Sequence, residues 1–222
     1  MDTPMDTPGT AIVTGVSRGL GRALAEALAA AGWAVYGDGR TLGPSGRGGV
    51  RAVPGDVTDS WHRARLVETA LETGRLDLLV NNAGILGPSP QPALADYPAD
   101  ALRAVLEVNL VAPLALTQLA LPALRDHGGA VVNISSDAAV GAYPGWGGYG
   151  AAKAAVEQLS NVLAAEEPKL RVWWADPGDL RTRMHQEAFP GEDIGDRPEP
   201  GTVAPAFLRL LAERPASGRV KL

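Results

Sequence analysis

Tyr149 and Lys153 stand four residues apart in YGAAK, with only glycine and alanine between them. In a helix this spacing puts a phenol and an ammonium on one face. A free tyrosine, with a pKa of about 10, is a poor proton relay near neutral pH. A neighbouring cation favours phenolate and brings that pKa down, so the pair suits proton transfer to or from an oxygen. The same spacing also occurs on ordinary surface helices, so its companions decide. Ser136 closes the apolar run AVVNIS at 130–135. Strand alternation points its hydroxyl away from that of Ser135 and into the crevice beyond the strand end.

These groups need a scaffold, and its rhythm is visible. The runs AIVT (11–14), AVYG (34–37), VRAV (50–53), LDLLV (76–80), AVVNIS (130–135) and RVWWA (171–175) lack strict alternation, as strands buried on both faces do. Helical patterns lie between them at 20–32, 60–74, 99–127 and 149–167. Asp59 or Ser60 can cap the second, and Gly32 and Gly74 end helices. This predicts an α/β fold, a doubly wound parallel sheet with helices on both faces, in a single domain. In such sheets ligands bind outside the carboxyl ends of the strands. There the first strand runs into TGVSRGLG (14–21) before a helix begins. Gly15, Gly19 and Gly21 allow a tight turn, close backbone approach and helix–strand packing, with the helix N-terminus facing a pyrophosphate. Ser17 adds a donor and Arg18 a charge. Asp56 and Val57, in DVTD, and Asn82, Ala83 and Gly84, in NNAG, follow the third and fourth strands. Asp56 can bond an adenine amino group, and Ala83 and Gly84 let a flat ring lie on the backbone. Asn81 is read as a tie between loops.

Composition sets the limits. The 222 residues suit one domain, 9–222, after a tail, 1–8, that reads as disordered. A net charge of −5 gives no reason to expect a nucleic-acid or membrane partner. There is no cysteine, and His62, His127 and His185 form no metal-ligand spacing, so no metal is expected. No apolar run reads as long enough to span a bilayer, and no signal peptide is seen, so the expectation is a cytoplasmic protein.

TGxxxGxG, NNAG, an asparagine in the long helix, a serine, YxxxK and PG occur in this order. The set resembles the compact single-domain short-chain dehydrogenases/reductases over about residues 9–222. The resemblance implies a Rossmann-like NAD(P)-binding fold that moves hydride between the nicotinamide and a carbonyl or alcohol substrate. It implies Ser136, Tyr149 and Lys153 as the catalytic set, the Ser136–Tyr149 spacing matching the family. Asn109 supports them by holding a water in a relay ending at Lys153, or else makes a structural interhelical bond. The resemblance further implies cofactor contacts from Leu20, Tyr149, Lys153, Pro177, Gly178, Leu180 and Thr182. The rival readings are a dehydratase or epimerase and a non-catalytic NADP(H)-binding sensor.

Several features depart from the pattern. GRTLGPSGRGGVR shortens the crossover between the second and third strands to a loop. After SGRVKL nothing remains for the family's closing segment, so a homodimer is expected rather than a tetramer. Its helices would supply Leu106, Leu110, Leu114 and Val156 to the interface or to the core. Trp146, Met184 and His185 read as substrate-lining, beside a lid at 190–200. Cofactor choice turns on AVYGDGR (34–40). The ribose carboxylate of NAD-type sites aligns with Gly39, while Arg40 and Arg18 can clamp a 2′-phosphate. NADP(H) is therefore favoured; NAD(H) use would need Asp38 in the other register.

Overall fold

The computed structural model describes residues 8–42 and 48–222. Seven parallel strands form one sheet in the order β3-β2-β1-β4-β5-β6-β7. They are β1 Thr10–Val13, β2 Ala34–Gly39, β3 Arg51–Pro54, β4 Leu78–Asn81, β5 Ala130–Ile134, β6 Arg171–Asp176 and β7 Gly218–Lys221. The helices are α1 Gly19–Ala30, α2 Ser60–Leu71, α3 Ala99–Leu106, α4 Ala112–His127, α5 Gly147–Glu166, α6 Arg183–Ala188 and α7 Ala204–Glu213. Strand order reverses between β1 and β4, which opens a crevice at the carboxyl ends of the two strands.

Alternation along β1 divides the core. Ala11 and Val13 face one side, with Leu24 and Leu28 of α1 and Phe207 and Leu211 of α7. Ile12 faces the other, with Leu66 of α2 and Leu116, Ala120 and Leu124 of α4. A buried polar ladder crosses this second layer. Asn81 of β4 donates through Nδ2 to Asn133 Oδ1 at 2.8 Å and to Thr117 Oγ1 at 3.2 Å. Asn133 donates in turn to Ser160 Oγ of α5 at 2.8 Å, and Ser160 to the Val156 carbonyl. Each amide nitrogen thus has a partner where an unpaired one would cost about 1–3 kcal/mol. The ladder fixes α4 and α5 against the sheet.

All six expected strands form, and Asp59 caps α2 by accepting from the Trp61 amide. Within SGRVKL, Gly218–Lys221 forms a seventh strand that the sequence reading did not include, β7, parallel to β6 with Trp174 paired to Arg219. α7 was also unforeseen, although Phe207, Leu210 and Leu211 have helical spacing and are buried. Residues 99–127 are continuously helical and, by length and composition, could cross a bilayer, contrary to the sequence reading. In this fold their Leu116, Ala120 and Leu124 pack in the core. Val156 is core, whereas Leu114 is exposed. Within the β2–β3 connection, 43–47 lie outside the described residues, as do 1–7 of the tail; the described part of the connection contains no helix.

Candidate active site

A cleft of about 290 Å³ runs along the carboxyl ends of the sheet, from the glycine-rich turn past β2 and β3 to the ends of β5 and β6. It is lined by Ser136, Tyr149 and Lys153 and by every expected cofactor residue: Gly15, Ser17, Arg18, Gly19, Leu20, Gly21, Arg40, Asp56, Val57, Asn82, Ala83, Gly84, Pro177, Gly178, Leu180 and Thr182. Trp146, Met184 and His185 line it too, but Asn109 does not.

At the nucleotide end, Gly15 turns the chain with φ 74°, a conformation that favours glycine. α1 then starts without a capping side chain and without a carboxylate in its first turn. Its free N–H groups and dipole suit an anion, so the turn fits a dinucleotide pyrophosphate. Thr182, the N-cap of α6, lies beside this turn: a Cβ on Gly19 would sit 3.6 Å from Thr182 Cγ2. Asn82 lines the cleft, yet its amide is spent on structure. Nδ2 donates to the Thr14 carbonyl at 2.8 Å, and the Asn82 and Ala83 amides donate to Thr14 Oγ1. Asn82 therefore ties β4 to the glycine-rich turn, the kind of loop tie expected of Asn81, while Asn81 reaches across the sheet instead.

The Asp38 carboxylate is fully engaged. Oδ1 accepts from the Gly15 amide at 2.7 Å and Oδ2 contacts His62 Nε2 at 3.1 Å, with both side chains buried. Gly39 ends β2 at the cleft, where an added Cβ would lie 3.3 Å from Ser17 Cβ and 3.2 Å from Leu42 Cγ. Arg40 is exposed. Asp56 accepts from the Thr58 amide and hydroxyl through Oδ1. The Thr58 amide bond is the main reason its pKa is lowered, and the Arg40 charge adds to the effect.

At the other end, Tyr149 and Lys153 are both buried in the first turns of α5. Lys153 Nζ donates to the Ile134 carbonyl at 2.7 Å and lies 5.4 Å from the centre of the Tyr149 ring. The sequence reading expected the lysine, together with the positive nicotinamide of an oxidised cofactor, to pull the tyrosine pKa down. In the protein by itself, burial, and then the charges of Asp137 and Asp176, hold the phenol proton well above its ordinary range. Burial pushes Lys153 down to about 8. Ser136 Oγ donates to Asp137 Oδ1 at 3.0 Å and accepts from the Ala138 amide at 3.1 Å. As expected, Ser135 points elsewhere and donates to Glu157 of α5. Trp146 meets Tyr149 edge-on at 5.8 Å, and Met184 packs on the same cluster. His185 lies between Asp179 and Arg197, at 3.9 and 3.4 Å.

Asn109 sits in a π-helical turn, Glu107–Val111, joining α3 to α4. Its Oδ1 accepts from the Ile85 amide at 2.9 Å and its Nδ2 donates to the Ile85 carbonyl at 2.8 Å. The amide thus clamps the loop after β4 in place of the interhelical bond that was the alternative to the water relay, and a Cβ on Gly84 would lie 2.8 Å from its Oδ1. The sequence reading missed Asp137, Asp176 and Asp179, which line the cleft. Their positions on either side of Ser136 and Pro177 were the available signal.

A family model described as short chain dehydrogenase matches residues 9–193. The chain belongs to the short chain dehydrogenase family. It is 35% identical over 146 residues to the uncharacterized oxidoreductase YciK of Escherichia coli, a match covering 65% of this chain and 57% of that protein. The chain thus spans little more than half the length of the first curated relatives it matches. Among solved structures of the short chain dehydrogenase family, one from Shigella flexneri complexed with NADP has a TM-score of 0.86 and 30% identity, covering 96% of this chain and 95% of that one. An alcohol dehydrogenase from Thermococcus sibiricus complexed with 5-hydroxy-NADP has a TM-score of 0.85 and 26% identity, covering 97% and 96%.

The depressed Lys153 pKa has a consequence for stability. Between about pH 8 and the usual 10.5 the unfolded lysine binds more protons than the folded one, so the unfolding free energy gains with rising pH. Below that window the full cost of burying the charge is present. Urea unfolding of wild type and Lys153→Met should therefore diverge in favour of wild type as pH rises from about 8 to 10, by about 1–2 kcal/mol. Parallel pH profiles would contradict this.

Proposed function

We propose that the protein is an NADP(H)-dependent oxidoreductase acting on a carbonyl or alcohol substrate, with Tyr149 as acid/base and carbonyl reduction as the favoured direction. The observation that carries this is the opening of Ser136, Tyr149 and Lys153 into the same cleft as the uncapped α1 N-terminus. A bound nicotinamide supplies or accepts the hydride. Tyr149 donates its proton to the substrate oxygen as reduction proceeds, and burial keeps that proton in place beforehand. Ser136 turns its hydroxyl from Asp137 to the substrate oxygen and holds it beside the phenol. Lys153, anchored on the Ile134 carbonyl, brings positive charge to the tyrosine as phenolate develops. Asn109 holds the loop after β4 at the cleft wall. Trp146 and Met184 exclude water around the phenol.

Tyr149→Phe should bind cofactor as wild type does and lose at least about 10²-fold in turnover on a panel of ketones and alcohols. Wild-type turnover in that variant would remove the assignment.

Engagement of Asp38 by Gly15 and His62 favours NADP(H) over NAD(H). It leaves Gly39 and Arg40 at the strand end, where Arg40 can meet a 2′-phosphate. The two related structures bound to NADP and 5-hydroxy-NADP point the same way. The ratio of kcat/KM for NADPH over NADH should exceed one and fall about tenfold or more in Arg40→Ala. A wild-type preference for NADH, reversed in Asp38→Ala, would establish the opposite choice.

Exposed Val111, Leu114 and Leu119 on the long helix and Val162 on α5 support a homodimer through these helices. Sedimentation at micromolar concentration should give twice the chain mass; a monomer would refute the dimer.

A further inference from the structure

Arg219 lies on β7, opposite Trp174 in the neighbouring strand. Its side chain is only partly exposed and meets three elements of the site. Nη2 donates to the Ser136 carbonyl at 3.2 Å and to Asp176 Oδ2 at 3.1 Å, and Nε donates to Glu157 Oε1 at 3.0 Å. Each partner is itself engaged at the catalytic end. The Glu157 carboxylate, one turn beyond Lys153 on α5, accepts from Ser135 Oγ. Asp176 Oδ1 accepts from the Gly178 amide at 3.0 Å and so shapes the Pro177–Gly178 turn. One guanidinium thus meets two carboxylates and the backbone of Ser136.

We infer that Arg219 is a positioning residue for hydride transfer: it braces the ends of β5 and β6 against α5 and neutralises the Asp176 carboxylate at the nicotinamide end of the cleft. This rests on the NADP(H) reading above. Asp176 is buried and lines the cleft, so its net charge is felt there rather than screened by solvent. The same carboxylate raises the Tyr149 pKa, so its neutralisation also bears on the phenol proton. Without Arg219, the negative charge of Asp176 would face the nicotinamide site unpaired. NADP⁺ carries a positive charge on that ring and NADPH does not. A brace that only held the fold would affect both forms alike, whereas charge neutralisation must discriminate between them.

The experiment measures dissociation constants for NADPH, NADP⁺ and adenosine 2′,5′-bisphosphate by calorimetry at fixed salt. In Arg219→Gln the preference should move toward NADP⁺ by about 3- to 10-fold relative to wild type, with the bisphosphate unchanged. Adding Asp176→Asn, which keeps an acceptor for the Gly178 amide, should bring the ratio back. Arg219→Lys should stay near wild type. Asp176→Asn alone should move the ratio toward NADPH, which provides a reading even if Arg219→Gln fails to fold. Wild type that binds the dinucleotides, with variants that leave the ratio unmoved, would overturn the inference alone. Wild type that binds neither dinucleotide would overturn the NADP(H) reading and this inference with it.

Discussion

The active end depends on an ammonium held inside the protein. Lys153 is buried in α5 with the Ile134 carbonyl as its hydrogen-bond partner. Bringing a charged group out of water is costly, and the cost appears as its lowered pKa. The contact requires α5 to lie very close to the strand ends. Small residues make that possible. A Cβ on Gly150 would stand 2.6 Å from the Ala138 carbonyl oxygen, and one on Gly148 would stand 2.2 Å from the Tyr97 ring. The glycines around the tyrosine are therefore packing requirements as much as features of the motif. The ladder from Asn81 through Asn133 to Ser160 secures the same helix about two turns farther along.

The two ends of the cleft use carboxylates in contrasting ways. Near the glycine-rich turn, Asp38 is withdrawn into the structure by a backbone amide and a buried histidine. At the far end, Asp137 and Asp176 line the cleft, where their charges add to the burial that holds the Tyr149 proton. The net charge of the chain gives no indication of this division. It follows from the donors each carboxylate meets: the Gly15 amide and His62 for Asp38, Ser136 and Tyr143 for Asp137, and the Gly178 amide and Arg219 for Asp176.

Much of this was legible in the sequence because the buried strands are short apolar runs and the glycine-rich turn has a fixed place after the first of them. β7 was not, because Gly218, Arg219, Val220 and Lys221 include a single large apolar residue in a half-exposed strand. The lining by Ser136, Tyr149 and Lys153 could be placed from motif order and strand polarity. The fate of Asp38 could not, since it depends on His62, 24 residues away, turning inward from α2. Asn81 and Asn82 are adjacent and chemically identical, so only the neighbours that each meets distinguish their work. The raised Tyr149 pKa of the protein by itself was not legible, because it comes from the burial of the side chain, which spacing alone does not reveal.

The π turn around Asn109 also sets the phase of the long helix. An α-helix advances by about 100° per residue, and a π turn takes one residue more than an α turn. The extra residue offsets the azimuth of α4 from that of α3. Leu116, Ala120 and Leu124 can thus meet the sheet while Val105 of α3 is buried under the loop after β4. Loss of one residue in Glu107–Val111 would act as a rotation of about 100°: the core stripe of α4 would swing toward solvent, and the exposed Leu114 would swing toward the sheet.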